Sequence, residues 1–239
     1  MDDGKDGFDF KRFLDSLQPP KRTEAEERAK LIEYRRIRVD QWRDRVRSNL
    51  PIWPFARWNN HDWVQRCDPR IVSFLRDLWE PFSRDGKDWK PGGSVLVCAP
   101  PKHGKSTGIY AALRVAVSGV RKALEAGEDI GQLPSIMWTT EAALVDEQRA
   151  YRTELLERCS QSSILVIDEL GLAGGHQAPV GGTPVIMQLL GMRHDQGLST
   201  CVTSGVGRVA LESRYGGGAY RRMTERGRAL DIVGRSKPS

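Results

Sequence analysis

Residues 94–107, SVLVCAPPKHGKST, decide the fold. The first five, 94–98, are apolar and β-branched enough to form a short buried strand. A tight loop follows over 99–103, and Gly104-Lys105-Ser106 then begins a helix. A strand, a loop and a helix in this order around Gly-Lys-Ser predict a loop that binds phosphate groups.

The predicted loop binds phosphate through its backbone. Successive N–H groups point inward and form an anion nest, to which the following helix adds the positive end of its dipole. Lys105 reaches the β- and γ-phosphates of a nucleotide, and the Ser106 hydroxyl is a ligand for Mg²⁺. We therefore predict a site for ATP and Mg²⁺, with nucleotide contacts from Pro101, Lys102, His103, Gly104, Lys105, Ser106 and Thr107.

One position departs from the pattern G-x-x-x-x-G-K-[ST], because Ala99 stands where the first glycine is expected. Pro100 and Pro101 fix φ and lack N–H donors, so the nest has to use later amides. The alternative is a plain turn between two core elements. The apolar helix face at 109, 112, 113, 116 and 117 disfavours it.

A second motif lies at 163–171, SILVIDELG. Four apolar residues at 164–167 predict a buried parallel strand, and Asp168 and Glu169 stand at its C-terminal end, where α/β proteins bind ligands. Since adjacent strand residues point to opposite faces, the two carboxylates take different roles. We predict that Asp168 holds Mg²⁺ and that Glu169 polarises the attacking water as a general base.

Further strands are predicted at 135–140, SIMWTT, at 199–204, STCVTS, and at 229–233. The strand at 199–204 brings Ser204 near the γ-phosphate, so Ser204 is a candidate catalytic residue. Helical stretches separate these strands, which is typical of an α/β domain.

The composition restricts the class of protein and its partners. The 239 residues are 39% hydrophobic and 28% charged, which suffices for one α/β domain with a helical extension. The net charge of +6 fits a nucleic acid or another polyanion as partner. We expect no membrane association, because no apolar run is long enough. The four cysteines lack C-x-x-C spacing, which disfavours a structural zinc site and indicates reduced thiols and a cytoplasmic location.

The first 50 residues differ from the rest. A long helix is predicted from Thr23, where a capping box with Glu26 marks its start, to about Asn49. Its apolar stripe is narrow, which favours an arm that pairs with a partner helix over a helix lying on the domain. Within 1–22, apolar residues at 10, 13, 14 and 17 form another stripe, which docks either in a groove of a partner or on its own domain.

From about residue 54 onward, the chain resembles the DnaC-like helicase loaders and the related IstB-like transposition ATPases, both of the AAA+ class. The matching stretches are APPKHGKST, TTEAALVDEQRA, ILVIDELG, QLLGMRHDQGLSTCVTS and ESRYGGGAYRRM. The first and third, the Walker A and Walker B motifs, are shared by many ATPases. The last two, close to the end of the sequence, point to this group.

The resemblance implies an α/β fold with a doubly wound parallel sheet, a P-loop NTPase of AAA+ type without a C-terminal lid. It also implies that subunits assemble head-to-tail, with ATP and Mg²⁺ between them and an arginine that reaches the neighbour's ATP. By position, Arg222 is the first choice for this arginine and Arg214 the second. A sensor asparagine is replaced by Gly205, which together with Ala99 indicates slow hydrolysis or a mainly ATP-binding role.

The implied function is an ATPase that loads a replicative helicase during DNA replication and contacts DNA, with single strands expected. Two alternatives stay open, a transposition ATPase that binds duplex DNA and recruits a transposase, and a nucleotide-binding scaffold with little turnover. The Asp168-Glu169 pair disfavours a small-molecule kinase. Residues 1–50 are then the partner-docking region and residues 51–239 the AAA+ ATPase domain.

Overall fold

The computed structural model describes residues 23–51, 65, 67–78, 82–85, 88–91, 93–128, 131–171 and 182–233. In chain order, its elements are α1 (Glu24–Ser48), α2 (Pro69–Leu78), β1 (Phe82–Asp85), β2 (Asp88–Pro91), β3 (Ser94–Cys98), α3 (Lys105–Glu125), β4 (Ile136–Thr140), α4 (Glu141–Arg149), α5 (Glu154–Gln161), β5 (Ile164–Leu170), α6 (Gly182–Asp195), β6 (Ser199–Ser204), α7 (Arg208–Thr224) and β7 (Gly227–Asp231). Within these ranges, no helix combines the length and the apolar character needed to cross a membrane. The apolar stripe predicted within 1–22 lies outside the described residues.

Five of the described strands form one parallel sheet in the order β4-β5-β6-β3-β7. The strand β3, which precedes the Gly-Lys-Ser loop, is thus flanked by β6 and β7, and all residues of β3 and β6 are buried. Strands buried on both faces need continuous runs of apolar or small residues, as SVLVC is. The strands β1 and β2 pair antiparallel in a separate hairpin. The last strand begins at Gly227 rather than at the predicted residue 229.

Helices cover both faces of the parallel sheet. Alternate residues of β3 enter different hydrophobic clusters, Val95 and Val97 the first and Leu96 and Cys98 the second. The first cluster also contains side chains of α1, α2 and α3, and the second contains side chains of α4, α5, α6 and α7. The predicted α/β fold with a doubly wound parallel sheet is therefore confirmed.

The helix α1 begins where the sequence predicted. The Thr23 hydroxyl accepts a hydrogen bond from the backbone N–H of Glu26 at 3.3 Å, and the Glu26 carboxylate accepts one from the N–H of Thr23 at 2.8 Å. This capping box satisfies two N–H groups that lack intrahelical partners. The helical N-terminal extension is thus confirmed over Glu24–Ser48.

The C-terminal half of α1 packs on the α/β domain. Val39, Trp42 and Val46 are buried there, and the indole Nε1 of Trp42 donates a hydrogen bond to the carbonyl of Pro134 at 2.7 Å. The prediction that this stripe pairs with a partner helix is wrong for this half, because Trp42 and Val46 belong to the core formed by β3 and α3. A domain boundary at residue 50 therefore divides a continuous core. Partner docking stays a proposal for the N-terminal half.

Candidate nucleotide-binding site

The loop between β3 and α3 leads to an open helix start. Gly104 is the N-cap residue of α3 at φ 81° and ψ 18°, a left-handed conformation that costs glycine little. Because glycine offers no side chain to cap the first turn, the N–H groups there stay available to an anion. Lys102 is also left-handed, at φ 65°. Pro101 and Lys102 are exposed, and Thr107 lies half-buried in the first turn of α3.

The start of α2 is hydrogen-bonded to this loop. The backbone N–H of Asp68 donates to the carbonyl of His103 at 3.0 Å, and the Cys67 thiol donates to the carbonyl of Gly104 at 3.3 Å. Burial raises the pKa of Cys67 to about 11, so the thiol stays neutral and keeps its proton. The Nδ1 atom of His103 lies 3.1 Å from the carbonyl of Pro101. The loop is thus fixed to α2 through its carbonyl oxygens.

Lys105, the first residue of α3, is buried, and its ammonium contacts the loop. The Nζ atom donates a hydrogen bond to the carbonyl of Pro100 at 3.1 Å. Burial lowers the pKa of Lys105, and the negative charges of Asp168 and Glu169 oppose this effect. The structure therefore brings the predicted lysine and both predicted carboxylates into one site.

The predicted metal ligands Ser106 and Asp168 are in direct contact. The Ser106 hydroxyl donates a hydrogen bond to Oδ1 of Asp168 at 2.6 Å, although 62 positions separate them in the sequence. Asp168 is buried at the end of β5, where it also accepts a hydrogen bond from the Thr203 hydroxyl of β6. A buried carboxylate with two hydroxyl donors is held in one orientation.

Glu169 leaves the regular path of its strand. The pairing of β5 with β6 shifts register between Ile167 and Leu170, as in a β-bulge, and Glu169 has φ 60°. Its N–H donates to the Thr203 hydroxyl at 3.0 Å, while the residue as a whole is exposed. A left-handed conformation costs a residue with a side chain about 1–2 kcal/mol, and such strain and bulges concentrate at functional sites.

Thr203, which the sequence reasoning missed, contacts Asp168 and Glu169, whereas Ser204 bonds elsewhere. The Ser204 hydroxyl is fully buried, donates to the carbonyl of Leu170 at 2.8 Å and accepts from the N–H of Val206 at 3.1 Å. These bonds use the Ser204 hydroxyl within its own chain, and its catalytic role stays a prediction. The bulge pairs Ser204 with Leu170, beyond the two acids, so the preceding residue of β6 faces Asp168. The alternation of side chains along β6 was the sequence signal that could have identified Thr203.

Arg214 is bound within its own chain. Its guanidinium forms a salt bridge with Glu141 at 3.3 Å and donates to the carbonyl of Gly171 at 3.2 Å, and its side chain is 10% exposed. The buried Glu141 also accepts hydrogen bonds from Tyr215 at 2.6 Å and from the N–H of Gly171 at 3.0 Å. Leaving these partners would uncover a buried carboxylate, which is costly, and the role of Arg214 at a neighbour's ATP stays a prediction. The sequence reasoning did not identify Glu141.

Arg222 lies at the opposite edge of the sheet from the loop. It is exposed and lines a small cavity with Ser94 and Thr200, which stand near the starts of β3 and β6. The loop, in contrast, follows the C-terminal end of β3, and Asp168 lies near the C-terminal end of β5. The structure thus does not bring Arg222 to the site of its own chain, and its role at a neighbour's ATP stays a proposal.

The residues present fit a magnesium-bound triphosphate. The Ser106 hydroxyl and the Asp168 carboxylate supply the oxygen ligands that Mg²⁺ prefers, and Mg²⁺ usually adds waters and substrate phosphates to one or two carboxylates. Among the described residues, no cluster of three or more His, Cys, Asp or Glu side chains forms a complete protein cage for a metal. The uncapped start of α3 offers the matching anion site.

The chain is similar to known proteins in structure but not in sequence. No family model and no curated protein matches the sequence. A protein described as a primosome component from Streptococcus pyogenes serotype M3 is similar over 72% of this chain and 87% of its own, with 14% identity and a TM-score of 0.50. Domain III of the replication initiation protein DnaA from Thermotoga maritima is similar over 75% of this chain and 68% of its own, with 16% identity and a TM-score of 0.50. The DnaC helicase loader is similar over 72% of this chain and 99% of its own, with 16% identity and a TM-score of 0.47.

The chain has the P-loop NTPase fold. The first two likenesses show this fold, and the loop, Lys105 and Asp168 occupy its C-terminal sheet edge. The P-loop NTPase fold that the sequence implied is thereby confirmed. The individual nucleotide and metal contacts in this P-loop stay predictions.

Proposed function

We propose that the protein binds ATP with Mg²⁺, hydrolyses it as an AAA+ ATPase, and loads a replicative helicase during DNA replication. The observation that carries the ATPase proposal is the contact of Ser106 with Asp168 beside the uncapped start of α3. These two residues are far apart in the sequence, and a hydroxyl and a carboxylate at this place have the chemistry of a magnesium site.

Each side chain then has a separate task. The ammonium of Lys105 and the first N–H groups of α3 bind the β- and γ-phosphates. Ser106 and Asp168 hold Mg²⁺, which neutralises negative charge on the phosphate oxygens when it is bound. The exposed carboxylate of Glu169 accepts the proton of the attacking water.

Thr203 links the two acidic residues. Its hydroxyl donates to the Asp168 side chain and accepts from the N–H of Glu169 at 3.0 Å. One buried hydroxyl therefore positions both the metal-binding carboxylate and the backbone of the general base. Thr203 acts through these residues and is a positioning residue.

Three observations support the replication role. The sequence resembles the DnaC-like loaders in stretches beyond the Walker motifs, and the net charge of +6 favours binding to DNA. Two solved structures that share the fold are named for a primosome and for replication initiation. We therefore place the helicase reading ahead of the transposase reading, with single-stranded DNA as the expected form and head-to-tail assembly as the active state.

The test is ATP turnover by the full chain with single-stranded DNA and a replicative helicase. Glu169→Gln should keep ATP binding and lose turnover, because an amide cannot accept the proton. Arg222→Ala should also lose turnover, by roughly 10³-fold if it stabilises transition-state charge. Glu212→Gln, at a half-buried residue of α7 that pairs with Arg208, is the matched control and should turn over ATP normally.

Mixing the two inactive variants tests the assembly. A mixture of Glu169→Gln and Arg222→Ala subunits should regain activity, because some interfaces combine an intact Glu169 with an intact Arg222. No recovery on mixing, with both variants folded, would contradict an arginine supplied by the neighbour. Binding without turnover in the wild type would establish the scaffold alternative, and retention of a transposase instead of a helicase would favour the transposition reading.

A further inference from the structure

A groove of about 940 Å³ lies between α1 and the C-terminal end of α3. Its floor is apolar, with Leu31, Ile32 and Val39 from α1 and Leu124 from α3. Its rim is basic overall, because it contains one acidic residue, Asp40, which pairs with Arg43 at 3.1 Å, and five arginines, Arg28, Arg35, Arg36, Arg43 and Arg121. The groove is separate from the P-loop site and takes no part in the proposed hydrolysis.

The floor of this groove is incompletely covered. Ile32 is 58% exposed and Leu31 is 48% exposed, although both are large apolar side chains. The helix is nevertheless held at a fixed place, since Arg35 donates to the carbonyl of Gly127 at 3.0 Å and Arg38 to that of Gly131 at 2.9 Å. An exposed apolar surface with a polar rim is typical of an interaction site.

We propose that residues 8–17 of the same chain dock in this groove as a short amphipathic helix. Phe10, Phe13, Leu14 and Leu17 have the spacing of one helix face and match the apolar floor. The stretch 2–9, DDGKDGFD, carries four aspartates and one lysine, so its charge is opposite to that of the arginine rim. Within 8–17 the charges of Asp9 and Asp15 are balanced by Lys11 and Arg12, so apolar complementarity selects 8–17 and charge complementarity selects the adjoining stretch 2–9.

The length of the chain permits this arrangement. A helix over 8–17 is about 15 Å long, and the groove from Arg28 to Arg43 extends about 22 Å along α1. Residues 18–22 reach up to about 17 Å when extended, enough to return from the start of α1 to Arg28. Pro19 and Pro20 end the short helix and favour an extended connection.

The tether favours this segment over other occupants. A segment connected through a short linker reaches an effective concentration on the order of millimolar at the groove. A second copy or an acidic partner has to compete with that concentration. The docked segment would cover Leu31 and Ile32.

The test is hydrogen–deuterium exchange of the full chain, read on fragments covering 8–17 and 28–39. Ile32→Asp places a carboxylate on the groove floor and should speed exchange in 8–17 by about tenfold or more. Phe13→Asp should likewise speed exchange in 28–39. The matched controls are Ile37→Asp, at a 46% exposed isoleucine of α1 that does not line the groove, and Ser16→Asp in the tail. Both controls should leave exchange unchanged.

Three results would overturn the proposal. The first is exchange in 8–17 of the wild type as fast as in an unstructured peptide. The second is an equal effect of the substitutions at Ile32 and at Ile37. The third is a loss of protection on dilution, in parallel with dissociation of a dimer measured by light scattering, which would identify a second copy as the occupant.

Discussion

Among single residues, Thr203 and Glu169 show how the site is held. The Thr203 hydroxyl bonds both to the Asp168 side chain and to the Glu169 N–H, across the bulge in β5. The bulge directs Glu169 out of the sheet at the cost of a left-handed backbone. A strained residue at the predicted position of the general base is what a site selected for function rather than stability would show.

Two substitutions of Glu169 distinguish the effect of backbone strain on stability from the effect of the carboxylate on turnover. Glu169→Gly and Glu169→Ala both remove the carboxylate and should both abolish turnover. Glycine adopts φ 60° without the Cβ penalty, so Glu169→Gly should be more stable than Glu169→Ala by about 1 kcal/mol, as measured by urea unfolding. Equal stability of the two variants, or a more stable alanine variant, would contradict strain at this position.

Among the helices and strands, the contact of α2 with α3 fixes the P-loop from one side. A Cβ at Gly108 would stand 2.8 Å from Leu75 Cδ1 and 3.1 Å from Ile71 Cγ2, so the two helices approach closely where α3 begins. The start of α2 also bonds to the loop through Asp68. The position of α2 is therefore coupled to the loop that we propose binds phosphate.

Gly108→Ala tests this coupling. Overpacking should lower the free energy of unfolding by about 1–3 kcal/mol and weaken ATP binding, because α2 moves with the loop. Leu75→Ala in the same chain makes room for the new methyl group, so the double variant should be more stable than the sum of the single effects predicts. Strictly additive effects in urea unfolding would contradict the close contact.

For the whole molecule, residues in short sequence motifs could be predicted, whereas contacts between residues far apart in the sequence could not. Lys105, Ser106 and Asp168 were identified because each stands in a short pattern with its own strand or helix. Thr203 was missed because its role depends on the register of β5 against β6, which a bulge shifts. The contact of Arg214 with Glu141 was not predicted, because the two residues lie 73 positions apart in the sequence.

The packing of α1 likewise depends on contacts that the sequence alone does not show. The narrow stripe of α1 predicted an arm, but its second half packs into the core through Trp42 and Val46. A sequence pattern shows that a face is apolar and does not show which surface covers it. The first half of α1, with its exposed Leu31 and Ile32, is the surface on which we propose that residues 8–17 dock.

Every proposed role of the site requires ATP binding at the P-loop, which calorimetric titration of ATP into the full chain measures with and without Mg²⁺. We predict saturable binding that Mg²⁺ strengthens and that Lys105→Ala weakens by tenfold or more, about 1.4 kcal/mol. Lys122→Ala, at an exposed lysine in the last turn of α3, should bind as the wild type does. Absence of ATP binding by the wild type in either condition, or unchanged binding by Lys105→Ala, would contradict the account.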